Sequence, residues 1–255
     1  HRFGEGRELR SALRLASYWR DQRASAIRFA AAELQPDGQA VTADTFGPGT
    51  VLRRSGGNGV QLKNMAMDTV YLQSDYSGTH RWLGLSHAVL AGVDAAHEKF
   101  ENFGLAADSP QLAKPTTTVG TPDDGASLNE ASRRLLKNRT FDAKALGLYL
   151  QDLVQVAPMW KLLAGLRWDR FEGRYENLAL AAPNPNACAT QPGAKLSRSD
   201  SLWSKRVGLL FQPSDRQSYH VSYGTSFNTS GDTYQYDPGT ADTAPESSRN
   251  LELGG

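Results

Sequence analysis

Apolar and polar side chains alternate with a period of two along eight segments of the chain. From Leu9 to Arg20, leucines and Trp19 occupy one face, whereas Arg10 and Arg14 lie on the other. Because successive side chains of a β-strand point to opposite sides, this pattern predicts strands with one apolar and one polar face. The predicted strands are Leu9–Arg20, Met65–Tyr76, Trp82–Phe100, Phe141–Val156, Trp160–Phe171, Ser201–Gln212, Ser218–Phe227 and a last strand that begins near Glu246.

The connections between these strands alternate strictly between long and short. The long ones are residues 21–64, 101–139, 172–200 and 228–245, and the short turns lie at 77–79, 157–159 and 213–216. One short helix is predicted inside the second long connection, at Asn129–Lys137. Barrels of the bacterial outer membrane show this asymmetry, with short turns at the periplasmic rim and long loops outside.

Composition is compatible with a membrane barrel. Hydrophobic residues make up 39% of the chain, and the mean hydropathy is −0.50. No segment approaches the roughly 18 apolar residues that a membrane helix needs. Barrel strands keep a low average hydropathy because only every second residue faces lipid. Aromatic residues such as Trp19, Trp82, Trp160 and Trp203 lie near strand ends, as in interfacial girdles. The sequence therefore predicts an all-β antiparallel transmembrane barrel.

Charge and reactive residues exclude several function classes. The formal net charge of +1 gives no field that would attract nucleic acid, so no nucleic-acid partner is expected. The one cysteine, Cys188, has no partner for a disulfide, and no Cys/His cluster has metal-ligand spacing. Asp152 and Asp169 are expected to pair with arginines, and neither has a recognisable catalytic His or nucleophile nearby in sequence. Neither a metal site nor an enzyme activity is predicted.

Four motifs resemble one family of receptors. Residues 147–152 are Gly-Leu-Tyr-Leu-Gln-Asp, and residues 160–171 are Trp-Lys-Leu-Leu-Ala-Gly-Leu-Arg-Trp-Asp-Arg-Phe. This hairpin resembles the Y-x-Q-D and W-x-L-x-x-G-x-R-x-D motifs of TonB-dependent siderophore receptors, with the catecholate type most similar. Residues 222–228 and 245–254 are similar to the next landmarks of that family, in the expected order. The segment from His87 to Asp94 resembles the H-x-L-x-x-G-x-E strand, with Asp94 for the usual glutamate.

The resemblance implies a role and a set of partners. Such receptors are 22-stranded outer-membrane barrels filled by an N-terminal plug, and they take up ferric siderophores with energy from the TonB-ExbB-ExbD complex. Because the chain begins at His1 without Met and ends in a strand-like run, residues 1–255 are expected to be part of the barrel domain. They would supply about eight of its strands without the plug, and the expected surroundings are outer-membrane lipid.

Candidate ligand-binding residues lie in the long connections. Arginine and lysine pair well with the dispersed oxygen charge of an anionic ferric chelate, and tyrosine can stack on flat chelating rings. The candidates are Arg53, Arg54, Arg133, Arg134, Lys137, Tyr175, Tyr234 and Tyr236. The polar strand faces, which carry Asp94, Arg167, Asp169 and Arg206, are expected to contact the plug or to pair across strands.

Two alternatives to the receptor remain open from the sequence. A small closed barrel of about eight strands, acting as an adhesin or an outer-membrane enzyme, requires its first and eighth strands to pair. A soluble carbohydrate-binding β-domain requires the apolar strand faces to be buried in a core.

Overall fold

The computed structural model describes residues 1–4, 6–55, 61–106, 108–110, 112–178, 195–229 and 243–255. These residues form eleven strands and one short 3₁₀ helix, Ala32–Leu34. The strands are β1 (Arg7–Ala24), β2 (Ala26–Phe29), β3 (Val51–Ser55), β4 (Gln61–Trp82), β5 (Leu85–Leu105), β6 (Thr117–Thr118), β7 (Leu135–Ala157), β8 (Trp160–Asn177), β9 (Lys195–Ser214), β10 (Gln217–Asn228) and β11 (Glu246–Gly254).

Eight strands form one antiparallel sheet in the order β1-β4-β5-β7-β8-β9-β10-β11. The eight predicted strands and their order are confirmed, and every pair except β4 and β5 is joined by one of the predicted connections. Most of the strands are longer than predicted, with 18 to 23 residues in β1, β4, β5, β7, β8 and β9. Most of the added residues lie at the strand ends next to the long connections.

The two faces of this sheet differ in character. On the apolar face, cross-strand registers align apolar side chains in rows, such as Val154, Leu162, Leu209, Val221 and Leu253. Asp152 and Lys205 interrupt this face. The polar face carries residues such as Asp75, Asp94, Tyr149, Arg167 and Arg206.

Among the residues that the structure describes, no second layer covers the apolar face. Leu150 and Leu166 lie on central strands and are 56% and 50% exposed, and no large side chain among the described residues is fully buried. Burying such a side chain would contribute about 1.5–3 kcal/mol, so a water-soluble domain would not leave the whole face open. The described residues therefore do not supply the buried core that the soluble β-domain considered from the sequence requires.

The sheet is open within the described part of the chain. Strands β1 and β11 are its two edges and do not pair with each other. The small closed barrel of eight strands is therefore not supported. Among the described residues, no helix has the length and apolar character to span a membrane.

A second, three-stranded sheet forms inside the first two long connections, in the order β2-β3-β6. Gln35 is buried beneath it, donates to the carbonyls of Ala30 (3.1 Å) and Val51 (3.0 Å), and accepts from the Val51 N–H (2.9 Å). These side-chain hydrogen bonds take the place of backbone bonds between strands at the end of the sheet, and they connect the loop that contains Gln35 to β3. The sequence analysis did not predict this sheet.

Two local predictions are wrong. The turn expected at Ser77–Thr79 lies inside β4, where Gly78 pairs with both Arg7 and Val89. The actual turn is Leu83–Gly84, and both residues have positive φ (52° and 79°), the backbone of a tight hairpin with matching twist.

The helix expected at Asn129–Lys137 is also absent. The Asn129 side chain accepts from the Ala131 N–H at 2.9 Å, which makes a local turn, and Leu135 already begins β7. There, Leu135 pairs with Leu105 of β5. Strand pairing prevails over local helix propensity because it satisfies the backbone groups of a whole segment.

Candidate functional site

A basic pocket lies on the long-connection side of the sheet, between the end of β1, β3 and the loop before β7. It is lined by Arg23, Arg54, Lys114 and Glu130, among others. Arg23 donates to Asp21 through two 2.8 Å bonds and also to Glu130. These contacts join the end of the first long strand to a loop about a hundred residues further along the chain.

Arg54 forms one wall of the basic pocket. Its guanidinium donates to the carbonyls of Pro115 (2.7 Å) and Thr116 (3.3 Å) and to the carboxylate of Asp124 (2.6 Å). The backbone N–H of Ala126 and the Arg54 charge both lower the pKa of Asp124. Arg54 therefore stabilises the loop that carries Lys114.

Lys114 is the group in this pocket best suited to a bound anion. Its ammonium donates to the Ser25 hydroxyl (2.6 Å) and the Ala24 carbonyl (3.2 Å), which leaves one of three N–H donors. Burial lowers the pKa of Lys114, and the neighbouring charges of Arg133 and Arg54 lower it further against an opposing effect of Glu130. An anion at this position would offset the repulsion among the cations.

The predicted ligand residues are partly brought together. Arg54 lines the basic pocket, whereas Arg133 does not. The Arg133 side chain is buried and lies 3.7 Å from Glu130, which does line the pocket. Arg53 is exposed on β3 opposite Arg28. The remaining cations are ion-paired outside the pocket, Arg134 with Asp108 and Lys137 with Glu101.

Of the predicted tyrosines, only Tyr175 lies in the described residues; Tyr234 and Tyr236 lie outside them. Tyr175 is buried in a cluster with Phe100, Phe141 and Ala143. Its ring is therefore not open to stack on a ligand, and we leave it out of the proposed site. The cluster closes the long-connection end of the polar face.

Sequence reasoning missed Arg23 and Lys114. Arg23 lies at the end of β1, and Lys114 precedes Pro115 in a segment with turn composition. Neither position carries a signal of its own, because their meeting depends on how two long loops fold.

A second polar cluster lies at the centre of the polar face, around Arg167. Its guanidinium donates to both oxygens of Asp94 (2.7 and 3.0 Å) and, through Nε, to both oxygens of Asp169 (2.9 and 2.8 Å). The guanidinium also lies 5.3 Å from the centre of the Tyr149 ring. The prediction that Asp169 pairs with an arginine is confirmed. Asp94, which stands where the receptor motif usually has glutamate, binds the same guanidinium.

Tyr149 extends this cluster to β4. It lies opposite Gly92 in the register of β5 and β7, and its hydroxyl donates to Asp75. A glycine opposite a tyrosine lets the ring lie flat across the neighbouring strand. A Cβ at Gly92 would contact the Tyr149 ring and approach Asp75 Oδ1 to 2.7 Å.

We therefore expect Gly92→Val to destabilise the protein by about 1.5 kcal/mol, because the Tyr149 ring must leave its bond to Asp75. Urea unfolding of the purified protein, followed by tryptophan fluorescence, measures this. Gly224→Val is the matched control, since a Cβ there meets nothing closer than 3.8 Å. Equal losses in both variants would show that the Gly92–Tyr149 contact has no special role.

Asp152 does not pair with arginine as expected. Its Oδ2 lies 2.6 Å from Nδ1 of His87 on the apolar face, and the His87 ring lies 5.1 Å from that of Trp82. The other imidazole nitrogen is buried and has no hydrogen-bond partner in the described part of the chain. The sequence analysis missed this histidine partner of Asp152.

No group of three or more His, Cys, Asp or Glu side chains converges as metal ligands within the described ranges.

Comparison with known proteins places this arrangement in a family. The family described as TonB dependent receptor-like, beta-barrel matches residues 1–255. The probable TonB-dependent receptor BfrD of Bordetella pertussis is 28% identical over 162 residues, which cover 58% of this chain and 21% of BfrD. The probable TonB-dependent siderophore receptor PiuA of Acinetobacter baumannii is 34% identical over 100 residues, or 38% of this chain and 12% of PiuA.

Solved structures share the fold. The closed form of the ferric-catecholate import receptor Fiu of E. coli K12 has a TM-score of 0.74 at 17% identity, covering 98% of this chain and 36% of Fiu. The siderophore receptor PiuA from A. baumannii has a TM-score of 0.67 at 16% identity, covering 100% and 36%. At such identities the likeness concerns the fold alone. The chain spans about a third of these structures and a smaller share of the curated relatives.

Proposed function

Because the chain belongs to the TonB-dependent receptor β-barrel family, we propose that it forms part of the barrel wall of an outer-membrane receptor for ferric siderophores. The observation that carries this proposal is the eight-stranded sheet, whose apolar face is uncovered among the described residues and which has a basic pocket on its long-connection side. The proposed role is binding and transport, not catalysis.

In this arrangement the apolar face contacts lipid and the polar face lines the lumen. The short turns then lie at the periplasmic rim and the long connections outside. The open edges at β1 and β11 require further strands, because lipid does not tolerate unpaired backbone groups. We propose that the receptor containing this chain supplies those strands together with a plug, which packs against the polar face near Arg167.

The proposed ligand is an anionic ferric chelate, bound at the outer mouth of the barrel. Arg23 and Lys114 would face its negative charge, and the buried Arg133 would add positive charge near Lys114, while Arg54 holds the loop in place. Arg53, Arg134 and Lys137 remain proposed contacts further out, as do Tyr234 and Tyr236. The names of the relatives PiuA and Fiu, a siderophore receptor and a ferric-catecholate import receptor, support this substrate class. Release into the periplasm would require TonB, ExbB and ExbD.

Lys114→Met tests the ligand site. We expect the receptor that contains this chain to bind a ferric tris-catecholate about tenfold more weakly after the substitution, since one charge-assisted contact near 1.4 kcal/mol is lost. Fluorescence quenching of the purified receptor by the chelate measures the affinity.

Lys161→Met is the matched control, because Lys161 follows the short turn at the opposite rim. It should leave the affinity within twofold of the unmodified receptor. Equal affinity of the Lys114 variant and the unmodified receptor would remove the basic pocket from the ligand site.

A further inference from the structure

The apolar face carries a group of cations at its long-connection end. Lys99 of β5, Asp142 of β7 and Arg174 of β8 lie in one cross-strand row, and Lys144 lies one row nearer the short turns. Lys99, Lys144 and Arg174 are all exposed. Adjacent strands are about 4.8 Å apart, so Lys99 and Arg174 lie roughly 10 Å from each other.

The acids on this part of the face already have partners. Asp68 accepts from the Ser17 hydroxyl (2.6 Å), Asp142 lies 2.9 Å from His97 Nε2, and Glu172 accepts from Arg170 (2.7 and 2.9 Å).

The three exposed cations, unlike these acids, do not have such partners among the described residues. Lys99, Lys144 and Arg174 make no hydrogen bond or ion pair with any part of the chain that the structure describes. Arg174 and Lys144 are near enough to act electrostatically on Glu172. The region therefore presents positive charge outward.

An amphipathic groove adjoins these cations. His97, Lys99, Asp68 and Ser17 form its polar end, and Leu15 and Val70 form its apolar end. The apolar rows continue from there toward the short turns, through Leu13 and Leu72. A ligand that fits this groove has an anionic head and a hydrocarbon chain.

Two tryptophans mark the level of the membrane surface beside the cations. Trp168 and Trp203 face each other across β8 and β9, and the Trp168 indole donates to Ser201 at 2.8 Å. Tryptophan prefers the boundary between hydrocarbon and head groups. The cations lie just beyond that boundary on the long-connection side, where head-group phosphates would lie.

We propose that Lys99, Lys144 and Arg174 bind the phosphate groups of a lipid in the outer leaflet, with its acyl chain along Leu15 and Val70. The argument rests on the proposed outer-membrane location but not on the siderophore. Phosphate suits these groups because ammonium and guanidinium form charge-assisted bonds to its oxygens. The site is on the opposite face of the sheet from Arg167 and apart from the basic pocket.

Native mass spectrometry of the receptor in a neutral detergent tests this proposal. The probes are bisphosphorylated lipid A and the same lipid after removal of its phosphates. We expect the unmodified receptor to retain the phosphorylated lipid at least about tenfold more tightly. The variant K99Q/K144Q/R174Q should lose that preference, and the charge-preserving variant K99R/K144R/R174K should keep it.

A matched control removes three exposed cations elsewhere, in R28Q/R81Q/R216Q, and should keep the preference within twofold. Equal retention of the two lipids by the unmodified receptor would overturn the proposal, as would an unchanged preference in the triple glutamine variant. Displacement of the lipid by inorganic phosphate alone would also overturn it, since the acyl chain would then contribute nothing. Binding of the ferric chelate, measured on the same samples, reports separately on the proposed function.

Discussion

Leu150→Arg is expected to abolish assembly of the receptor into the outer membrane. Leu150 lies at the middle of the apolar face, between Ala91 and Leu166 on the neighbouring strands. An arginine that faces lipid near the bilayer midplane costs about 2–4 kcal/mol. On a face exposed to water the same change would cost within about 0.5 kcal/mol. The amount of folded receptor in outer-membrane fractions distinguishes a face in contact with lipid from a face exposed to water.

The neighbouring residue provides the matched control. Gln151 points to the polar face, opposite Leu90 and Gly165, where the glycine leaves room for a longer side chain. Gln151→Arg should therefore reach the outer membrane at normal levels. If both variants assembled equally well, the apolar face would not contact lipid.

Arg167→Ala is expected to lower the free energy of unfolding by about 2–3 kcal/mol. Asp94 and Asp169 are each 18% exposed and share this one guanidinium. Removing one partner of a buried pair costs about 3–5 kcal/mol, because it leaves an uncompensated charge. The value is reduced here because the guanidinium itself is about a third exposed.

Urea unfolding of the purified receptor measures this loss, and a second substitution identifies its cause. In Arg167→Ala with Asp94→Asn, one uncompensated carboxylate is gone, so part of the stability should return. Arg216→Ala, at the exposed turn before β10, is the control and should change stability by less than about 0.5 kcal/mol. No recovery in the double variant would mean that Arg167 acts through packing and not through its charge.

The alternating pattern was sufficient to predict the strands of the eight-stranded sheet, because a strand with one apolar surrounding must place its apolar residues on one side. The hairpin of β7 and β8 is the clearest case, with Leu146, Leu148 and Leu150 on the apolar face and Pro158–Met159 as its turn. Strand ends were harder to predict. Beyond the apolar band the alternation changes, because the buried cluster of Phe100, Phe141 and Tyr175 lies on the otherwise polar face. Backbone pairing nevertheless continues to Ala24, Leu105 and Asn177.

The candidate site was only partly predictable, because it depends on contacts distant in sequence. Lys114 meets Ser25 across 89 positions, and Arg23 meets Glu130 across 107. Both contacts follow from the folding of the long loops, and β2, β3 and β6 give no strong periodic signal. The turn predicted at Ser77–Thr79 was wrong for a related reason. The composition of this segment suits a turn, but its residues pair with both neighbouring strands, β1 and β5, and so continue β4.

Uptake of iron tests the central claim most directly. The receptor gene that contains this chain is expressed in cells that lack their own catecholate receptors, and accumulation of a radiolabelled ferric tris-catecholate is measured with and without TonB. The proposal predicts accumulation that depends on both the receptor and TonB, and that falls with Lys114→Met but not with Lys161→Met. Accumulation that is the same without TonB, or none in cells with the folded receptor in the outer membrane, would contradict it.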